Sequence, residues 1–124
     1  MKINILSSLL VMISLNMMSC KAQEEKPDVT LLSVEQAKTI FVKDPGAVIL
    51  DVRTPEEFKD GHIEGALLIN FFDADFKEQV EALDKEKPVY IYCRSGNRSQ
   101  KAGNILTEMG FKEVYDIENG FMSW

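Results

Sequence analysis

Short, unbroken apolar runs constrain this chain more than any other feature. They are Ala47-Val48-Ile49-Leu50-Asp51-Val52, Ala66 to Ile69, and Val89-Tyr90-Ile91-Tyr92. Continuous rather than alternating apolarity marks strands buried on both faces, as in parallel sheets. Val114 to Ile117 reads as a last short strand. Between the runs the apolar spacing turns helical. Val34, Ala37, Ile40 and Phe41 predict a helix over 33–42, opened by a Ser33/Gln36 capping box. Pro55 starts a helical turn through Phe58, with Gly61 to end it. Phe76, Val80 and Leu83 share one face over 73–83. Ala102, Ile105, Leu106 and Met109 do so over 98–109, with Gly110 as the stop. Gly120 to Trp124 reads as a final turn. Strands alternating with helices predict an α/β fold with a mainly parallel central sheet and helices on both faces. Ligands in such folds bind at the carboxyl ends of strands.

Size and charge narrow the function. A chain of 124 residues suits one domain of ordinary size. With 14 Lys and Arg against 20 Asp and Glu, it lacks the basic balance of a general nucleic-acid binder. Two Cys cannot build a disulfide scaffold, and one His supports neither a multi-histidine metal site nor a histidine pair. No metal is expected.

The first nineteen residues form a separate segment. They hold four of the six Met and one charge, Lys2, and the run Ile3 to Leu15 is apolar but interrupted. It is short for a bilayer span, which needs about 20 mostly apolar residues, and fits an export signal. Its end, Met17-Met18-Ser19-Cys20, resembles a bacterial lipoprotein signal, where cleavage precedes a lipid-bearing Cys. The Ser and Cys fit that pattern; the two Met depart from it. The alternative is a plain signal peptide cut near Ala22. The expectation is a signal peptide over 1–19, lipidation at Cys20, a polar tether over 20–28 and a folded domain over 29–124. The protein would then sit lipid-anchored on the periplasmic side of a bacterial membrane. The absence of Asp at Lys21 and Ala22 weakly favours the outer one.

Cys93 closes the run 89–92, and Arg94-Ser95-Gly96-Asn97-Arg98-Ser99 lead into the helix that follows. A short strand-to-helix loop can turn several amides inward as an anion nest. The helix N-terminus adds free donors and a positive dipole end. Gly96 permits unusual φ and Asn97 tolerates left-handed φ. Arg94 and Arg98 add charge. Such surroundings lower a thiol pKa and raise the thiolate fraction. Singly, a Cys at a strand end is a small core residue and an Arg near a helix start is solvated. The combination of Cys, Gly, Asn and two Arg within six residues points to a nucleophile beside an anion site.

The stretch Cys93 to Ser99 resembles the active-site loop of the rhodanese family. Two further stretches agree. Asp51-Val52-Arg53-Thr54-Pro55-Glu56-Glu57-Phe58 runs on to Gly61-His62-Ile63-Glu64-Gly65-Ala66. Asn119-Gly120-Phe121-Met122-Ser123-Trp124 closes the chain. Glu64 stands where the family often has Pro, and Asn119 where it has the first of two Gly. The likeness covers about residues 30–124. It implies a rhodanese-like fold and sulfane-sulfur transfer. Cys93 would be the catalytic nucleophile. Arg94, Ser95, Gly96, Asn97, Arg98 and Ser99 would bind the anionic donor and cradle a persulfide. Asp51, Arg53, Glu57 and His62 read as structural groups near the site, with Arg53 and Glu57 an ion pair at helical spacing. No cofactor is implied. The partners would be a small anionic sulfur donor, a thiol or cyanide acceptor, and a membrane through Cys20. One rival is a Cys-dependent phosphatase or arsenate reductase, whose loop resembles Cys, five residues, then Arg. Here Arg98 comes one residue early, and the smaller cradle suits one sulfur. A second rival is a lipid-anchored sulfur carrier or binding module without turnover.

Overall fold

The computed structural model describes residues 25–124. The expected signal segment, Cys20 and the first part of the tether lie outside the described residues. Among those described, no helix is long and apolar enough to cross a membrane. The chain forms β1 (Thr30–Leu32), α1 (Val34–Lys43), β2 (Val48–Asp51), α2 (Pro55–Asp60), β3 (Leu67–Leu68), α3 (Phe76–Glu81), β4 (Val89–Tyr92), α4 (Asn97–Glu108) and β5 (Val114–Ile117). A 3₁₀ turn over Gly120–Ser123 follows.

The five strands make one sheet in the order β1-β5-β4-β2-β3, and every neighbouring pair is parallel. β4 lies at the centre, and all four of its residues are buried. Its side chains alternate between two cores, as strand geometry requires. Val89, Ile91 and Cys93 join Leu50, Val52, Val80, Ala102, Leu106 and Phe111 on the face covered by α3 and α4. Tyr92 joins Ile49, Ala37, Ile63 and Ile117 on the face covered by α1. Helices therefore lie on both faces of a parallel sheet, the expected architecture.

Local signals set the helix ends. Ser33 caps α1 by accepting from the Gln36 amide, while the Gln36 side chain accepts from the Ser33 amide. Thr54 and Glu57 make a second capping box at α2, with Pro55 just inside. α4 ends in a Schellman motif. The Phe111 amide donates to Leu106 O and the Gly110 amide to Thr107 O, with Gly110 at φ +96°. Phe111 and Leu106 are both fully buried, which adds the apolar contact that accompanies this motif.

Three details differ from expectation. β1 carries no sequence signal: it is three residues long, two of them exposed, and only its pairing with β5 makes it a strand. The helix expected over 73–83 is regular only over 76–81. Asn97 is not left-handed but opens α4. Gly96, at φ +112°, makes the turn, and among the described residues Asn119 is the non-glycine residue with positive φ, at 59°.

Candidate active site

The register places the site. Asp51 of β2 pairs with Tyr92 of β4, so the two chains leave the sheet side by side at its carboxyl edge. One continues into Val52 and Arg53, the other into Cys93 and its loop. The C-terminal turn backs that loop. The Phe121 amide donates to Cys93 O at 2.8 Å and the Met122 amide to Arg94 O at 3.0 Å. Gly120 passes so close that a Cβ there would overlap the carbonyl oxygens of Cys93 and Arg94.

The Cys93 side chain is buried, with 1% of the residue exposed. The Gly96 amide donates to its Sγ at 3.0 Å. The thiol in turn lies 3.4 Å from Ser99 Oγ, and the Ser99 hydroxyl donates to Gly96 O at 3.1 Å. Burial pushes the Cys93 thiol up, but the Ser99 hydroxyl and the amides of Ser99, Gly96 and Ser95 outweigh it, and the thiol settles below its ordinary range. The Gly96 amide therefore points inward at the sulfur.

The charged groups divide differently from expectation. The ion pair expected between Arg53 and Glu57 does not form. Arg53 is buried and turns to Asp51, with Nη2 2.7 Å from Oδ2 and Nε 3.0 Å from Oδ1. Nη2 also donates to Gly61 O at 2.7 Å, and the guanidinium lies over the Phe121 ring. Glu57 instead takes Arg98 in a fork, at 2.7 and 2.9 Å. The physical reason is the Thr54 cap. Glu57 Oε1 accepts from the Thr54 hydroxyl and amide, which holds the carboxylate at the start of α2 facing α4. That fork draws Glu57 down to about 2 against the opposing effect of burial. Arg98 thus ties α4 to α2, and its guanidinium sits over the Phe72 ring. Of the two cations expected to bind the donor, Arg94 lines the open cleft, which measures about 340 Å³ and is also walled by Arg53, Glu57, Phe121 and Met122. Among the described residues Arg94 makes no ion pair.

Ser95 on the loop and Asn97 at the start of α4 are exposed. His62 is exposed, stacked on Phe58 with ring centroids 3.7 Å apart, and its Nδ1 meets Phe58 O at 2.9 Å. It braces the end of α2. Two groups near the site escaped the sequence reading. The Tyr92 hydroxyl accepts from the Ile63 amide at 3.0 Å and orders the segment after α2. Asp116 lies buried on β5 on the α4 face of the sheet, beside Ile91. A single carboxylate inside the run Val114 to Ile117 was the available signal. A larger cleft of about 620 Å³, walled by Phe41, Val42 and Trp124, contains none of the loop residues.

Comparison with known proteins agrees with this geometry. The family model for the rhodanese-like domain matches residues 33–124. The chain belongs to the rhodanese family. Among curated rhodaneses it is 43% identical over 84 residues to the thiosulfate sulfurtransferase GlpE of Coxiella burnetii, covering 68% of this chain and 77% of the relative. It is 36% identical over 96 residues to that of Tolumonas auensis, covering 77% and 87%. Among solved structures, a rhodanese-like domain protein of Staphylococcus aureus superposes with a TM-score of 0.70 at 27% identity, over 77% of this chain and 91% of that one. The rhodanese match takes in the loop 93–99, the Asp51–Ala66 stretch and the closing turn together.

Proposed function

We propose that this rhodanese moves sulfane sulfur from thiosulfate or a persulfide donor to cyanide or a thiol through a persulfide on Cys93. The observation that carries this reading is the Gly96 amide 3.0 Å from the Cys93 sulfur, at the opening of α4. That the chain is a sulfurtransferase of the rhodanese type follows from its family and from relatives bearing the name thiosulfate sulfurtransferase.

The chemistry is two displacements at sulfur. Cys93 thiolate attacks the outer sulfur of thiosulfate, a new S–S bond forms, the old one breaks, and sulfite leaves with the electron pair. The acceptor then attacks the outer sulfur of the persulfide and the Cys93 thiolate returns. Both states place negative charge on sulfur where the Gly96, Ser95 and Ser99 amides and the α4 N-terminus can meet it. Arg94, exposed at the cleft, draws in the anionic donor. Arg98 serves through Glu57 by fixing the loop's far end. Cys20 would carry the lipid that holds the domain at a periplasmic membrane face.

Thiosulfate and cyanide mixed with the full chain, purified in detergent, should yield thiocyanate, and Cys93→Ala should abolish it. A folded, reduced chain that forms none would point to a sulfur carrier or binding module. Cys20→Ser should release the protein from the membrane fraction of an expressing bacterium. Retention there would refute the anchor.

A further inference from the structure

Asp116 is the charged group near the site that the reaction above leaves unused. It is 3% exposed, and its Oδ1 has no hydrogen-bond partner among the described residues. A buried carboxylate oxygen left without a partner is disfavoured, so it calls for an explanation. Its surroundings supply one. On the sheet its neighbours are Leu31 of β1 and Ile91 of β4, both apolar. From above, the first turn of α4 presents the fully buried Ser99, whose hydroxyl opposes the effect of burial on Asp116, and Cys93 lies two residues past Ile91 on the same face of the sheet. Ser99 Oγ is also the atom 3.4 Å from the Cys93 sulfur. Of the other charges near the sulfur, Arg98 is held by Glu57 and Arg53 by Asp51, while Arg94 is exposed at the open cleft.

We propose that Asp116, Ser99 and Cys93 form a buried proton relay, in which Asp116 is a positioning residue that acts through the Ser99 hydroxyl to hold the proton given up by the thiol. The proposal deepens the sulfur-transfer reading of the same site and rests on Cys93 being its nucleophile. In the resting arrangement the thiol donates to Ser99 Oγ and the hydroxyl donates to Gly96 O. Turning the hydroxyl to Asp116 completes the chain. The Ser99 proton passes to the carboxylate as the thiol proton passes to Ser99 Oγ. One S–H and one O–H bond break and two O–H bonds form. The set keeps a single negative charge, which moves from Asp116 to the sulfur, and nothing is oxidised or reduced. A thiol with 1% of its residue exposed has poor access to solvent as a proton acceptor, and the relay supplies one inside the protein. Burial lifts Asp116 to about 6, with the nearby Ser99 hydroxyl opposing it, while the same hydroxyl helps to lower the thiol. Two groups that interact strongly titrate as a pair.

The test is titration of the full chain without substrate. Thiolate ultraviolet absorbance, corrected with Cys93→Ser, should rise in two steps separated by about one pH unit or more. The first step is partial, because the pair then shares one proton. Asp116→Asn should give one step of full amplitude. One full step at the same midpoint in both proteins would overturn the relay. Where Asp116→Asn fails to fold, the ¹³C carboxyl shift of Asp116 decides. Linkage is reciprocal, so Asp116 should titrate in two steps in the native chain and in one in Cys93→Ser. One identical step in both would again overturn it. Thiocyanate formation is scored separately. Two-step titration without turnover keeps the relay and removes the substrate reading, and turnover with one-step titration does the reverse.

Discussion

At the scale of single residues, the site depends on which partner each charge finds. Glu57 lies four residues after Arg53, a spacing that suits a helical pair. It binds Arg98 instead, forty-one residues on. The fork is bidentate and partly buried, a geometry stronger than an ordinary surface pair. Glu57→Gln should therefore lower stability at pH 7 by about 1–2 kcal/mol. The sign with pH follows from the depressed carboxyl. Its contribution is fully present above the ordinary value of 4.5 and is lost as pH falls through about 2. Urea midpoints of native and variant chains should differ at pH 7 and converge near pH 2. An equal gap at both would remove the ion pair as the cause. Gly120 is a second decisive residue. At φ +58°, with the Cys93 and Arg94 carbonyls in the place of a Cβ, Gly120→Ala must push the loop away. We expect a loss of more than about 1 kcal/mol. Turnover should fall about a hundredfold, because a shift near 1 Å at a nucleophile is costly. Native-like thiocyanate formation would show that the closing turn does not position Cys93.

At the scale of elements, α4 is defined at both ends by glycines in different roles. Gly96 turns the chain and aims its amide at the sulfur. Gly110, at φ +96°, closes the Schellman motif, and a Cβ there would meet nothing within 4 Å. Gly110→Ala should thus lose about 1 kcal/mol from backbone strain alone and leave the rate of sulfur transfer unchanged. A thermal-melt series with turnover measured alongside would check both halves, and a fall in rate would mean that the helix end communicates with its start. The elements also divide by legibility. The capping box at Ser33 and the stop at Gly110 are local, and the sequence carries them. The capping box at Thr54 was equally readable, as Thr-x-x-Glu before Phe58. The Arg53 spacing drew Glu57 into another role, because two local rules competed for one carboxylate. β1 had no local signal at all, since three residues cannot show a period.

At the scale of the whole molecule, the sheet grades from centre to edge. β4 is bonded on both sides and wholly buried, β2 and β5 flank it, and β1 and β3 are short edges. Amide hydrogen exchange should follow that order. Residues 89–92 should be protected to the level of global unfolding, and 30–32 should open more readily. Equal protection across the sheet would mean that β1 is held by more than its pairing with β5. The same order explains why the site lies where it does. Parallel strands all present their carboxyl ends at one edge, so the segments after β2 and β4 and the turn after β5 converge there.

The sequence by itself determined the α/β class, the strand and helix order of the core, and the loop Cys93 to Ser99 as the candidate site. These follow from patterns a few residues long: continuous apolar runs, helical spacing, caps, and a nucleophile beside a glycine at a strand-to-helix junction. Tertiary structure alone decided that β1 is a strand, that Arg98 belongs to Glu57 and Arg53 to Asp51, and that Asp116 is buried on the sheet face that α4 covers. Each of these depends on a contact between segments distant in the chain, or on which of two possible partners a charge reaches first. Distance along the sequence carries no information about that choice; the parallel register of β2, β4 and β5 makes it.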